Sequence, residues 1–249
     1  MVGLLSVLAV LGMFFCVDPI AQAPAYHHFA DARSLLRINH FWNVTSNALF
    51  ALSGLVGLWV VAGVGKGVFA PELRIAYWLF FIAVTLVALG SAYYHWAPDN
   101  ASLVWDRLPM TLAFMALVAI ILGEHIAPRV GGRLLLPLVL AGMASVAYWA
   151  YTEASGRGDL RAYLLVQFLP MLIIPVVLLL FPSPYGCPRA YWVLLAAYLV
   201  AKVCEHFDAA IYQQGLGVSG HTLKHLIAAV ALLLLALDYR RRARLLRCA

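Results

Sequence analysis

Charge is what this sequence has least of. Only 11% of its 249 residues are Asp, Glu, Lys or Arg, against ~25% in an ordinary soluble domain. That shortage excludes a soluble globular protein. Cysteine is sparse as well: Cys16, Cys187, Cys204 and Cys248 are scattered, with neither metal-ligand nor disulfide spacing. There is no internal repeat, and no stretch reads as a separate soluble domain. The formal charge of +6 is not a nucleic-acid footprint, because five arginines crowd the stretch from Arg240 to Arg247. There they read as a cytoplasmic anchor, and no nucleic-acid partner is expected.

Apolar residues fill the gap, at 64% of the chain with mean hydropathy +0.89. The uncharged runs are too long for strands, so the spans are helices. Residues 1–17 are apolar and end at Asp18, followed by Ala21-Gln22-Ala23. This resembles a signal peptide, but no Lys or Arg precedes the run and Pro24 follows, so a retained helix is expected. A polar stretch, Tyr26 to Arg33, comes next. Spans are then expected at 41–65, 75–94, from Asp106 to His125, 134–152, 162–181, 190–211 and 221–238. Lys66 to Arg74, Arg129 to Arg133, Ser155 to Asp159, Pro182 to Pro188 and Gln213 to Gly220 read as links, with Pro170 and Pro175 as kinks. The expected fold is an all-α membrane protein, a seven-transmembrane helix bundle plus one N-terminal hydrophobic helix. Residues 1–37 form the N-terminal helix and polar outer loop, and residues 38–249 form the seven-helix core with its basic tail.

Lysine and arginine in the loops orient the chain. With a cytoplasmic N-terminus, Lys66, Arg74, Arg129, Arg133, Arg189 and the tail arginines lie inside, ten in all, against Arg33, Arg37, Arg157 and Arg161 outside. The C-terminus is therefore expected in the cytoplasm.

The polar residues at span ends are unevenly distributed. The expected inner ends carry mostly arginine, whereas the outer ends carry His95, Asp106, Glu205, Asp208, His221 and His225. His221 and His225 are four apart on one helical face, with β-carbons about 5–6 Å apart, so both rings can reach one metal ion. With His95 they make three imidazoles from two helices, the ligand set of a catalytic zinc that keeps its fourth position for water. Ionisable groups at this depth mark sites by default; the plain alternative is that the rings cap a helix end and face water. Asp106 is the natural acceptor for a proton from the metal's water, and equally an N-cap with Pro109 in the first turn. Ser91, one turn before His95, can bond that water or an oxyanion, or back-bond to its own helix. Glu205 and Asp208 can be acceptors for imidazole N–H groups, or can pair with Lys202 or Lys224.

Ser91-x3-His95-x10-Asp106, Leu108-Pro109-Met110 and His221-x3-His225 resemble the alkaline ceramidases. These belong to a seven-helix superfamily that includes the adiponectin and progestin receptors. Phe41-Trp42-Asn43-x2-Ser46-Asn47 resembles the ceramidase signature at the first core helix. The resemblance covers roughly residues 38 to 240, and the extra N-terminal helix resembles the bacterial branch. It implies a zinc-dependent amidase that cleaves the N-acyl bond of ceramide, or a ceramide-like lipid, to a sphingoid base or amine and a fatty acid. By the same match His95, His221 and His225 bind zinc, Asp106 holds or deprotonates its water, and Ser91 assists. The animal and fungal enzymes carry an acidic calcium-binding segment where this chain has Tyr26 to Arg33, and a glutamate where it has His40, so no calcium site is expected. The implied setting is a bacterial inner membrane. The alternatives are a non-enzymatic lipid receptor of the same superfamily with a structural zinc, and a transporter, which the lack of a repeat disfavours.

Overall fold

Runs of Leu, Val, Ala and Ile without charge leave the backbone no polar partner in lipid except itself, and helices satisfy every amide internally. The computed structural model describes residues 1–63, 69–185, 188–215 and 217–248, with side chains as far as Arg242. In chain order the helices are α1 (Val2–Cys16), α2 (Phe41–Thr45), α3 (Ala48–Gly63), α4 (Arg74–Trp96), α5 (Asn100–His125), α6 (Pro128–Ala154), α7 (Arg161–Leu180), α8 (Arg189–His206), α9 (Asp208–Gln213) and α10 (Gly220–Cys248). Among the described residues, six helical stretches are long and apolar enough to cross a membrane: Phe41–Gly63, Pro71–Trp96, Asn100–His125, Pro128–Ala154, Arg161–Leu180 and Gly220–Arg242. The shorter α1 is apolar throughout. The expected seventh core segment is also helical, but α8 has 18 residues and carries Arg189, Lys202 and Glu205. Lys66, Cys187 and the side chains of Arg244 and Arg247 lie outside the described residues.

Several boundaries differ from expectation. Arg129 to Arg133 is helix, not a loop, because Gly131 and Gly132 serve packing rather than turning. A β-carbon on Gly131 would strike the Ala119 carbonyl and Gly123 of α5. The span expected at 190–211 divides at Phe207 into α8 and α9. The first core helix is interrupted at Ser46-Asn47, between α2 and α3. Most consequentially, α5 begins at Asn100 and not at Asp106. Its start is fixed by a reciprocal pair: Asp99 Oδ1 accepts the Ser102 amide at 2.6 Å, and the Asp99 amide donates to Ser102 Oγ at 3.0 Å. Asp106 therefore lies in the second turn and is not the N-cap, and Pro109 is inside the helix.

The chain divides into two compact units. The first comprises Met1–Ala23, Lys66–Phe80 and Met110–Cys187. Within it α7 packs on α1 and α6, around Trp149, Ile174 and Val177. The end of α1 is fastened to the α6–α7 link: the Leu160 amide donates to the Ile20 carbonyl at 2.8 Å and Arg161 Nη1 to the Val17 carbonyl at 2.8 Å. Deep in the same unit Tyr77 donates to the Glu124 carboxylate.

The second unit comprises Pro24–Gly65, Phe81–Pro109 and Pro188–Ala249. Here α10 is the hub, packed on α3 and α8. Ser53 Oγ donates to the Ala229 carbonyl at 2.8 Å, and the Tyr191 and Tyr239 hydroxyls meet at 2.9 Å. Every residue singled out as a candidate for chemistry falls in this unit.

Candidate metal centre

Helix ends assemble the centre. His95 lies in the last turn of α4, with Ser91 one turn earlier on the same face. α4 approaches the start of α5 closely enough that a β-carbon on Gly90 would meet the Trp105 carbonyl. Only glycine permits that approach, and it brings the Ser91 hydroxyl to the neighbourhood of the Asp106 carboxylate. The opening turns of α10 bring His221 and His225. That helix start is held by side chains: the His221 amide donates to Asp208 Oδ1 at 2.7 Å and the Thr222 amide to Ser219 Oγ at 3.2 Å.

The three imidazoles meet in the interior, with His95, His221 and His225 only 1%, 5% and 3% exposed. Their ring centroids are 4.8 to 4.9 Å apart in every pair. The Nε2 atoms of His95 and His221 are 3.3 Å apart, and one ligand nitrogen from each ring lies within 4.8 Å of the other two. Three rings buried this deeply would be expensive to charge, and neutral imidazoles turn nitrogen lone pairs on one another. His95 Nδ1 is buried without a hydrogen-bond partner. His225 Nδ1 is 2.8 Å from Ser46 Oγ, and that hydroxyl donates in turn to the Asn43 carbonyl at 3.2 Å. With Ser46 donating to that carbonyl, the contact favours a proton on His225 Nδ1, the tautomer that leaves Nε2 as the ligating nitrogen. A donor set of this kind fits a metal ion.

A second layer comes from α2. Thr222 Oγ1 donates to Asn43 Oδ1 at 2.7 Å, and Asn47 Nδ2 to the Asn43 carbonyl at 2.7 Å. Phe29 covers the cluster: its ring centroid is 4.7 Å from that of His95 and 4.6 Å from that of His221. The carboxylates of Glu205 and Asp208 engage other groups than the imidazoles. Glu205 pairs with Lys202 and, at 2.9 Å, with Lys224. Asp208 accepts the amides of Ala30, at 2.9 Å, and of His221. Asp31, outside the spans, is 1% exposed and chelated by Arg33 through Nε–Oδ1 at 2.8 Å and Nη2–Oδ2 at 2.6 Å. Burial pushes its carboxyl up, but the Arg33 hydrogen bonds and charge outweigh that and hold it below the usual range.

Sequence reasoning did not reveal the roles of Ser46, Asn43 and Phe29. The first two sat in a quoted motif, but each meets its α10 partner across 179 residues, which no local spacing reports. Phe29 had no signal beyond its place in the polar stretch from Tyr26 to Arg33.

These features define a multi-pass helical membrane protein with a buried three-histidine group able to hold a metal ion. A family model for the ceramidases matches residues 36–236, a range that contains all three histidines, Ser91 and Asp106. The chain belongs to the ceramidase family, whose members are hydrolases of amide bonds. No curated protein matches it.

Proposed function

We propose that the protein is a zinc-dependent amidase that cleaves the N-acyl bond of ceramide or a ceramide-like lipid, with His95, His221 and His225 as metal ligands and Asp106 and Ser91 as the catalytic pair. The observation that carries the reading is the Nε2–Nε2 separation of 3.3 Å between His95 and His221. Two imidazoles on a tetrahedral ion at 2.0–2.1 Å stand about 3.3–3.4 Å apart. Family membership supplies the reaction class, and the burial of the cluster supports a site closed to bulk water.

When bound, zinc would supply Lewis acidity, lowering the pKa of water to about 7 and polarising a carbonyl. The protein's residues do the rest. Asp106 takes the proton of the attacking water and delivers it to the amide nitrogen as the C–N bond breaks, so the products are a free amine and a fatty acid. Ser91, one turn from His95, orients that carboxylate and lies in reach of the oxygen that gains charge. Ser46 holds His225 in the tautomer that ligates. The arginine bias further supports a C-terminus in the cytoplasm and a site toward the outer leaflet of a bacterial inner membrane; a reporter fused after Ala249 that read out as extracytoplasmic would reverse this orientation.

The test is a mass-spectrometric screen of amide lipids incubated with the zinc-loaded protein in detergent. Release of a fatty acid and a sphingoid base by the wild type, and not by His225→Ala, is the expected result. Zinc bound at unit stoichiometry with no amide lipid turned over would move the reading to a receptor with a structural metal.

A further inference from the structure

The ligand cluster has a roof that comes from outside the spans. Residues 24–33 run from a single 3-10 turn, Pro24–His27, across the imidazoles, and Phe29 lies against two of the three rings. The segment is fastened on both sides of that phenyl ring. Before it, the His27 ring bonds the Tyr94 hydroxyl and Asn100 Oδ1, each at 3.0 Å. After it, two ties reach the approach to α10. The Ala30 amide donates to Asp208 Oδ2 at 2.9 Å, and Arg33, chelated by Asp31, donates to the Gly217 carbonyl at 2.6 Å. The other oxygen of Asp208 accepts the His221 amide at 2.7 Å. One carboxylate thus holds an amide of the roof and an amide of a ligand residue at once.

We propose that residues 24–33 are a strap closed over the metal centre, that Phe29 is its seal, and that Asp208 is the positioning residue coupling strap to ligand helix. This rests on the metal-centre reading above and adds what controls access to it. Two acceptor oxygens are essential to the coupling. Asparagine at 208 keeps one and turns an NH2 toward the other amide, donor against donor, so one tie must open. Glutamate keeps both oxygens at a longer reach. Phe29→Ala removes the seal and leaves every tie in place.

Two measurements test the proposal. Hydrogen exchange on metal-free protein should show faster exchange in the peptides covering residues 28–31 or 219–223 for Asp208→Asn, by roughly tenfold or more, with part of the protection recovered in Asp208→Glu. Release of zinc to a strong chelator from loaded protein should accelerate by roughly tenfold in both Asp208→Asn and Phe29→Ala, while exchange at 219–223 in Phe29→Ala stays as in the wild type. Wild-type exchange in both peptides of Asp208→Asn would overturn the coupling. A wild-type release rate in Phe29→Ala would overturn the seal, even if Asp208→Asn fails to fold. A wild type that takes up no zinc would sink the metal-centre reading, while the exchange result still decides the latch.

Discussion

Two loops carry the same three-residue clamp, one in each compact unit. In Asp31-Ala32-Arg33 the arginine gives its amide, at 3.2 Å, and its Nε to Asp Oδ1, and its Nη2 to Oδ2. In Asp159-Leu160-Arg161 the corresponding bonds are 3.0, 2.9 and 2.8 Å. A third Asp-x-Arg, Asp238-Tyr239-Arg240, lies inside α10, where residues two apart do not face each other; Asp238 pairs with Arg242 instead, at 2.8 Å. The two clamps differ in what the arginine reaches next. Arg161 is 13% exposed and holds the end of α1 through Val17. Arg33 is 42% exposed and holds Gly217, just before the helix that carries His221 and His225. An identical local motif is thus a structural staple in one unit and part of the access to the candidate site in the other. The distant partner decides its role, not the motif.

The comparison can be broken most forcefully at the site itself. Replacing His95, His221 and His225 together with alanine should abolish zinc binding, measured as metal content of the purified protein, while Asp159→Asn should keep the full complement. A triple variant that retained its zinc would put the ligands elsewhere.

A smaller but still large effect is expected at Asp106. Because the carboxylate lies in the second turn of α5, Asp106→Asn does not disturb the cap formed by Asp99 and Ser102. kcat should fall by ~10²–10⁴-fold, the usual contribution of general acid–base catalysis, with zinc still bound. Near-normal turnover would remove Asp106 from the chemistry.

The clamps themselves should separate in kind. Asp159→Asn should lower the melting temperature by roughly 2–4 °C and leave zinc release to a chelator as in the wild type. Asp31→Asn should cost less in melting temperature, because its arginine is the more exposed and exposed pairs contribute little, yet it should speed zinc release severalfold. Equal effects of the two on release would erase the distinction.

The mildest test uses pH. The hydrogen bonds from Arg161 chiefly hold the Asp159 carboxyl at about 2, below its unfolded value near ~3.9. A depressed carboxyl adds stability that is complete above the unfolded value and is lost as pH falls through the folded one. The melting-temperature gap between wild type and Asp159→Asn should therefore be constant at pH 5 to 7 and close between about pH 4 and 2. A gap that persisted at pH 2 would assign the effect to packing.

Much of the membrane architecture was legible because lipid leaves so few choices. Long uncharged runs can only be helices, and α4, α6, α7 and α10 lie where the runs do. The misread boundaries share one cause: residues that signal chain breaks in water were recruited for packing or site geometry. Gly131 and Gly132 looked like a loop and instead let α6 meet its neighbours. Asp106 before Pro109 looked like a helix start, but the true start is the Asp99–Ser102 pair, six residues earlier. The break at Phe207 was hidden by a polar run that read as the end of one helix. The three histidines were legible because metal-ligand chemistry needs few residue types at fixed spacing. Ser46, Asn43 and Phe29 were not, because their partners are far along the chain and their residue types carry no signal alone; Asp208 stood out by its type, but nothing in the sequence marked it as the acceptor of two backbone amides.

The central claim is that the buried three-histidine group is a metal-dependent amidase centre, and the most direct measurement is ceramide cleavage followed on one protein preparation. The protein is stripped of metal, assayed, reloaded with a single equivalent of zinc and assayed again, with His225→Ala carried through the same steps. Fatty acid and sphingoid base should form only after reloading, and only in the wild type. Equal cleavage by the stripped protein, or by the reloaded His225→Ala variant, would contradict the account.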